Sequence, residues 1–180
     1  MAREYWLDLG AGIDAEHWMA TPAPPGVLRV ALDPLLTVGM VESGRLAPLP
    51  PDIQRVGGEL RPPGSSAQGG SPRAHSFLPF RNGLFRHVHC GFLLHLYLEL
   101  LDLLALETYR VLAPGGSLRV LLPHMGDPAS EANIQHTITV LRAQFGNLEM
   151  RRFAGPYTTF WADLYQDRTF ELLCIRPSEE

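Results

Sequence analysis

Asp8, Gly10, Gly12 and Asp33 are the residues whose types and spacing speak most directly of chemistry. Trp6-Leu7-Asp8-Leu9-Gly10-Ala11-Gly12 runs from a short apolar strand into a glycine turn. Asp33 closes the next apolar run, Val27-Leu28-Arg29-Val30-Ala31-Leu32. The first glycine allows a sharp turn, and the second lets backbone come close to a ligand. A carboxylate at the end of a second strand can accept hydrogen bonds from both hydroxyls of a ribose. Together these residues have the layout of a nucleotide-type cofactor site in an α/β sheet.

Histidines supply the other candidates. His95 lies one helical turn before Glu99, which suits either a base with its orienting partner or a solvated helix face. His87, His89, Cys90 and His95 are metal-ligating types. Alternation along a strand puts His87 and His89 on one face and Cys90 on the other, so no metal site is read here.

The elements that must position these residues alternate strand and helix. Strands are expected at Tyr5–Leu9, Val27–Leu32, Leu84–Phe92, Ser117–Leu122, Leu148–Phe153 and Thr169–Ile175. A weaker third strand belongs either near Ile53–Val56 or near Ala74–Phe77. Helices are expected over Asp14–Ala20, Pro34–Glu42, His95–Val111 and Ser130–Phe145, with Ala113-Pro114-Gly115-Gly116 as a stop and turn. The stretch 57–73 is rich in Pro, Gly and Ser and reads as a flexible loop within a single domain spanning 1–180. Strand–helix alternation argues a mostly parallel sheet covered on both faces, a three-layer α/β sandwich. The last two strands have no helix between them and argue an antiparallel edge hairpin.

Composition narrows the partners. A chain of 180 residues with 46% hydrophobic residues can bury a good core. Its formal net charge of -4 gives no electrostatic case for nucleic acid, which normally selects a basic patch or stripe. Cys90 and Cys174 stand far apart in apolar runs and read as buried free thiols in a reducing compartment. Met1-Ala2-Arg3-Glu4 leads straight into a strand with no signal peptide, so a cytoplasmic location is expected. The leucine run from Phe92 to Leu106 carries His95, Glu99 and Asp102 and is too short and too charged to span a bilayer.

Three segments resemble the class I S-adenosylmethionine-dependent methyltransferases. Leu7-Asp8-Leu9-Gly10-Ala11-Gly12 is similar to that family's first motif, and Leu32-Asp33-Pro34 to its ribose-binding turn. Leu78-Pro79-Phe80-Arg81-Asn82-Gly83-Leu84-Phe85, Leu94-His95-Leu96 and Glu107-Thr108-Tyr109-Arg110-Val111-Leu112-Ala113-Pro114-Gly115-Gly116 are similar to its strand-four to strand-five segment. The resemblance covers nearly the whole chain and implies a Rossmann-like, seven-stranded sheet with S-adenosylmethionine as cofactor. It implies that Asp8, Gly10 and Gly12 line the methionine end and that Asp33 holds the ribose. Leu35, Phe77 and Leu78 would contact the adenine. Cys90 and Gly91, with Phe92, would emerge beside the transferred methyl, and His95 is the candidate catalytic residue.

The chain departs from that pattern at four places. Asp14 stands where a third glycine is common, and Arg86 where an aspartate often follows Phe85. Arg73, Ala74, His75 and Ser76 offer no carboxylate for the adenine amine. The family's N-terminal helices are missing, so cover for the cofactor is expected from 43–73, from 157–165 or from another chain. Neither the Asp/Asn-Pro-Pro-aromatic signature of amino-methyltransferases nor the Pro-Cys pair of cytosine-C5 enzymes follows strand four, which disfavours DNA as acceptor.

The expected activity is methyl transfer to a small-molecule or protein acceptor. The alternative is a non-catalytic relative that serves as a binding or scaffold subunit. The leucine-rich helix has apolar residues over most of its circumference, more than one apolar stripe needs. Its excess leucine suits a homodimer or partner contact through 95–106, or burial beneath Tyr157-Thr158-Thr159-Phe160-Trp161. A third reading takes Gly10-Ala11-Gly12-Ile13-Asp14-Ala15 as the G-x-G-x-x-A of a nicotinamide-binding domain, which leaves no room for a catalytic domain.

Overall fold

The computed structural model describes residues 3–11, 15–20, 22–33, 46, 48–57, 78–94, 97–153 and 168–178. Seven strands form one sheet: β1 (Glu4–Leu9), β2 (Val27–Asp33), β3 (Ile53–Gly57), β4 (Phe85–Gly91), β5 (Leu112–Pro123), β6 (Leu148–Arg152) and β7 (Thr169–Ile175). Their order across the sheet is β3-β2-β1-β4-β5-β7-β6. The first five run parallel, and β7 is antiparallel to both β5 and β6. Helices α1 (Glu16–Ala20), α2 (Leu101–Val111) and α3 (Pro128–Phe145) flank it. This is the mostly parallel α/β sheet with an antiparallel edge that the alternation predicts.

Strand alternation divides the burial between two sides. Leu7, Leu9, Val30, Leu32, Val88, Cys90, Leu118, Val120 and Leu172 join Leu101, Leu104, Ile134, Ile138 and Leu141 of α2 and α3 in the main core. On the other face Ala31 and Ile53 pack with Trp18 of α1, and Trp6 lies against them. Arg29 anchors α1 there, donating to the Trp18 carbonyl at 2.5 Å and pairing with Asp52 at 2.7 Å. Trp18 in turn donates its indole N–H to the carbonyl of Val30 at 3.0 Å.

Several boundaries move for local reasons. The third strand takes the first of its two predicted placements, Ile53–Gly57. Within the stretch expected as a helix from His95, the described residues form a 3-10 turn at Leu98–Leu100 and are α-helical from Leu101. Neither Tyr97 nor Leu100 supplies a side-chain cap. Most of its leucines are spent inside the chain. Leu101 and Leu104 are fully buried, and Leu100 and Leu103 pack on the core, whereas Leu106 is exposed. Helix α3 starts two residues before the expected Ser130, because the Asp127 carboxylate accepts from the Ala129 and Ser130 amides and Pro128 fits the first helical position. Strand β5 follows α2 directly, and the expected turn at 113–116 is an irregularity within it. Phe85 pairs with Leu112 and His87 with Ser117, so the extra residues loop out of the ladder.

The helix expected at 34–42, the loop at 57–73 beyond Gly57, and the aromatic stretch 157–161 lie outside the described residues.

Candidate functional site

The carboxyl ends of β1, β2 and β4 meet where the sequence places its chemistry. The Gly10 and Ala11 amides both donate to the Leu32 carbonyl, at 2.9 and 3.1 Å, which ties the β1 turn to the end of β2. Gly10 has φ +78, and a β-carbon there would stand 3.0 Å from the Leu93 side chain just beyond β4. Conformation and close approach both require glycine at that position. Phe92, the first residue after β4, holds φ 55, an uncommon conformation for a residue with a side chain. Its amide donates to Leu121 at 3.1 Å, and its ring packs with Leu121 and Phe153.

Asp8 and Asp33 are both buried at this edge. Burial, reinforced by the Asp33 charge, pushes the Asp8 carboxyl well above the ordinary carboxylate range. Asp8 Oδ2 is buried with no hydrogen-bond partner among the described residues. An acceptor atom of this kind calls for a donor from a bound molecule.

Beside Asp8, across the β1–β4 ladder, stands His89. Its imidazole stacks on that of His17 with ring centres 3.6 Å apart. Trp18 and His87 extend the ring cluster to Trp6. Desolvation lowers the His17 pKa to about 4, helped by the Arg119 and Arg29 charges. Desolvation, then His17 and Arg119, pushes His89 well below the ordinary range. Both rings are therefore neutral at pH 7. The His89 Nδ1 is buried without a hydrogen-bond partner among the described residues, and its Nε2 lies 3.0 Å from where a β-carbon on Gly91 would be. This cluster was not read from the sequence as a unit. The alternation of His87 and His89 was visible, but the fold alone brings His17 over them.

The remaining expected residues fall in distinct places. Leu78 is fully buried; its N–H donates to Glu107 Oε2 at 2.8 Å, and its carbonyl accepts from Arg110 at 3.0 Å. Arg110 also reaches the Phe80 carbonyl and Asn82 Oδ1, at 2.7 and 2.9 Å. Glu107 and Arg110 thus clamp the 78–82 turn onto α2. Cys90 faces the main core with its thiol pushed up by burial, so it offers the site backbone rather than sulfur. Gly91 ends β4 on the Asp8 face, while Gly12, Leu35, Phe77 and His95 lie outside the described residues. Among the described residues no group of three or more His, Cys, Asp or Glu could hold a metal ion.

No protein-family model and no curated protein matches the chain. Solved structures do. A complex of the Haloferax volcanii Trm112 methyltransferase activator with a methyltransferase aligns with 98% of this chain and 84% of its own, at TM-score 0.63 and 16% identity. An S-adenosylmethionine-dependent methyltransferase from Aquifex aeolicus covers 96% and 83%, at TM-score 0.60 and 13% identity. The chain has the class I methyltransferase fold. Haemonchus contortus phosphoethanolamine N-methyltransferase 2, bound to phosphomonomethylethanolamine and S-adenosylhomocysteine, matches at TM-score 0.59 and 12% identity. The alignment takes in 98% of this chain but 49% of that larger protein. In this fold the turn at Gly10, the end of β2 and the exit of β4 are neighbours at one edge, as the register here shows. At these identities the likeness is one of fold.

Proposed function

We propose that the chain binds S-adenosylmethionine at the carboxyl edge of β1, β2 and β4 and transfers its methyl group to a small-molecule or protein acceptor. The observation that carries this reading is the orphaned, buried Oδ2 of Asp8 beside Asp33 at a tight glycine turn. A molecule with an ammonium group and ribose hydroxyls supplies the donors that such a site lacks. Asp8 and the Gly10 turn would hold the methionine end, and Asp33 the ribose. When bound, the cofactor supplies a methyl group activated on a sulfonium.

The chain's own task is then orientation, which can supply up to roughly 7–11 kcal/mol of a displacement barrier. A base is needed only for an acceptor protonated at working pH. His95 is the candidate for that role, and His95→Ala tests it once an acceptor is known. We place the protein in the cytoplasm, a reducing compartment, on the strength of its two buried free cysteines. Among the described residues no helix is long and apolar enough to cross a membrane.

Calorimetric titration with S-adenosylmethionine and S-adenosylhomocysteine, with Asp33→Ala alongside, tests this reading. Micromolar binding that the variant loses supports it. No heat with either ligand from a folded sample overturns the stand-alone enzyme. A second reading, a subunit that works with a partner protein, is favoured by the complex with an activator among the similar structures. It predicts that cofactor binding or turnover emerges only when the partner is added.

A further inference from the structure

The sheet edge that carries Asp8 and Gly10 continues past β4 to a second feature. A cleft of about 380 Å³ opens at the end of β5 and the adjoining ends of β6 and β7, lined by His124, Met125, Arg152, Arg168 and Phe170. Pro123 pairs with Thr169 and Arg152 with Phe170, so the cleft lies at the carboxyl end of β5. Its volume is that of a small-molecule site.

The charge in this cleft is unbalanced. Arg29, Arg110, Arg119 and Arg151 are each matched to a carboxylate, on Asp52, Glu107 or Glu171. Arg152 and Arg168 are exposed and have no ion pair or side-chain hydrogen bond among the described residues. Glu131 pairs with His124 at 3.2 Å. His124 packs edge-on against Phe170, and its amide donates to the Arg168 carbonyl at 2.5 Å, which fixes the cleft wall. Two unmatched guanidinium forks beside an aromatic ring and Met125 suit an oxyanion attached to an apolar body.

We infer that this cleft binds the oxyanion, a carboxylate or a phosphate, of the methyl acceptor. The inference rests on the methyltransferase reading above and names its substrate class. Gly91 of β4 lies two strands from β7 and pairs with Leu121, three residues before His124, so the anion is held roughly 14 Å from the end of β4, at about 4.8 Å per strand and about 3.3 Å per residue. The acceptor in this reading is a small molecule whose charged group stands away from its methylated atom. A polyanion is the competing ligand, and the net charge of -4 disfavours it.

The test uses the full chain, ¹⁵N-labelled, with and without saturating S-adenosylhomocysteine. Inorganic phosphate, phenyl phosphate, benzoate and a short single-stranded oligonucleotide are titrated while the Arg152 and Arg168 Nε–H signals and the Thr169 and Phe170 amides are followed. Saturable shifts at these groups with phenyl phosphate or benzoate, weakened about tenfold in Arg152→Gln and in Arg168→Gln, are expected. The tighter of the two probes identifies phosphate or carboxylate as the source. Unchanged S-adenosylhomocysteine binding shows that each variant is folded. No saturable shift, or shifts equally strong in both variants, overturns the proposal. So does an oligonucleotide that binds more tightly than phenyl phosphate with a steep salt dependence. Nucleoside binding without anion binding sinks the cleft and leaves the methyltransferase reading standing. Anion binding without nucleoside binding leaves an anion site and sinks that reading.

Discussion

The imidazole of His89 lies over Gly91, its Nε2 3.0 Å from the place a β-carbon would occupy. His17 stacks on the face of the same ring, at 3.6 Å between ring centres, and restrains it. Gly91 thus provides space rather than an unusual backbone. Gly91→Ala is expected to cost about 1–3 kcal/mol of unfolding free energy, the usual penalty for overpacking. In a His89→Ala background the same change should cost much less, because the obstructing ring is gone. Urea denaturation of the four proteins measures the coupling, and simple additivity would show that the ring gives way freely.

The same stack makes the fold sensitive to acid. His17 has its pKa lowered from 6.5 to about 4, so the unfolded chain binds more protons than the folded one between those values. Stability is therefore complete above about pH 6.5 and is lost as the pH falls toward 4. His17→Phe keeps an aromatic ring in the stack and removes this proton uptake. Between pH 7 and 4.5 the native chain should lose about 2 kcal/mol more than His17→Phe loses. Chemical denaturation at the two pH values decides it. Equal losses would mean that His17 is already solvated.

Asp8 works in the opposite direction. Its folded pKa is raised by burial and by Asp33, so here the folded state holds the extra proton. Stability from this group is present at low pH and falls as the pH rises from the ordinary carboxylate range toward the raised value. Asp8→Asn should stabilise the ligand-free protein relative to native, by a margin that grows with pH above 4. It should also weaken S-adenosylhomocysteine binding, since the acceptor oxygen is gone. A variant both less stable at pH 7 and unchanged in affinity would remove Asp8 from the site.

These residues show how far the sequence reaches. The β1 turn, the Asp33 strand end and the antiparallel edge were legible because each is a local pattern: glycine spacing, an apolar run with a terminal carboxylate, two strands without a helix. The His17–His89 stack was not legible, because it depends on how a five-residue helix lies across β4. The unmatched pair Arg152 and Arg168 was equally hidden, since fifteen residues of chain separate them and only the β6–β7 ladder brings them to one cleft. Gly115 and Gly116 read as a turn because the pattern shows a break but not that β-pairing resumes on both sides of it.

The Glu107–Arg110 clamp joins a sequence motif to a mechanical role. Arg110 holds both carboxylate oxygens of Glu107, at 2.7 and 2.8 Å, and also three oxygen acceptors in the 78–82 turn. Glu107 is buried, so loss of Arg110 removes the bidentate cation from a buried carboxylate. Arg110→Ala should cost about 3–5 kcal/mol, as expected for breaking a buried pair from one side. Arg110→Lys should recover only part of it, because an ammonium cannot replace a fork that serves several oxygens at once. Hydrogen exchange at the Leu78 and Phe80 amides should accelerate in both variants, most in the alanine. Because 78–82 leads directly into β4, loosening the clamp should also weaken S-adenosylhomocysteine binding without touching Asp8 or Asp33. Unchanged exchange at Leu78 in Arg110→Ala would show that the turn is held by its own packing and that the clamp is dispensable.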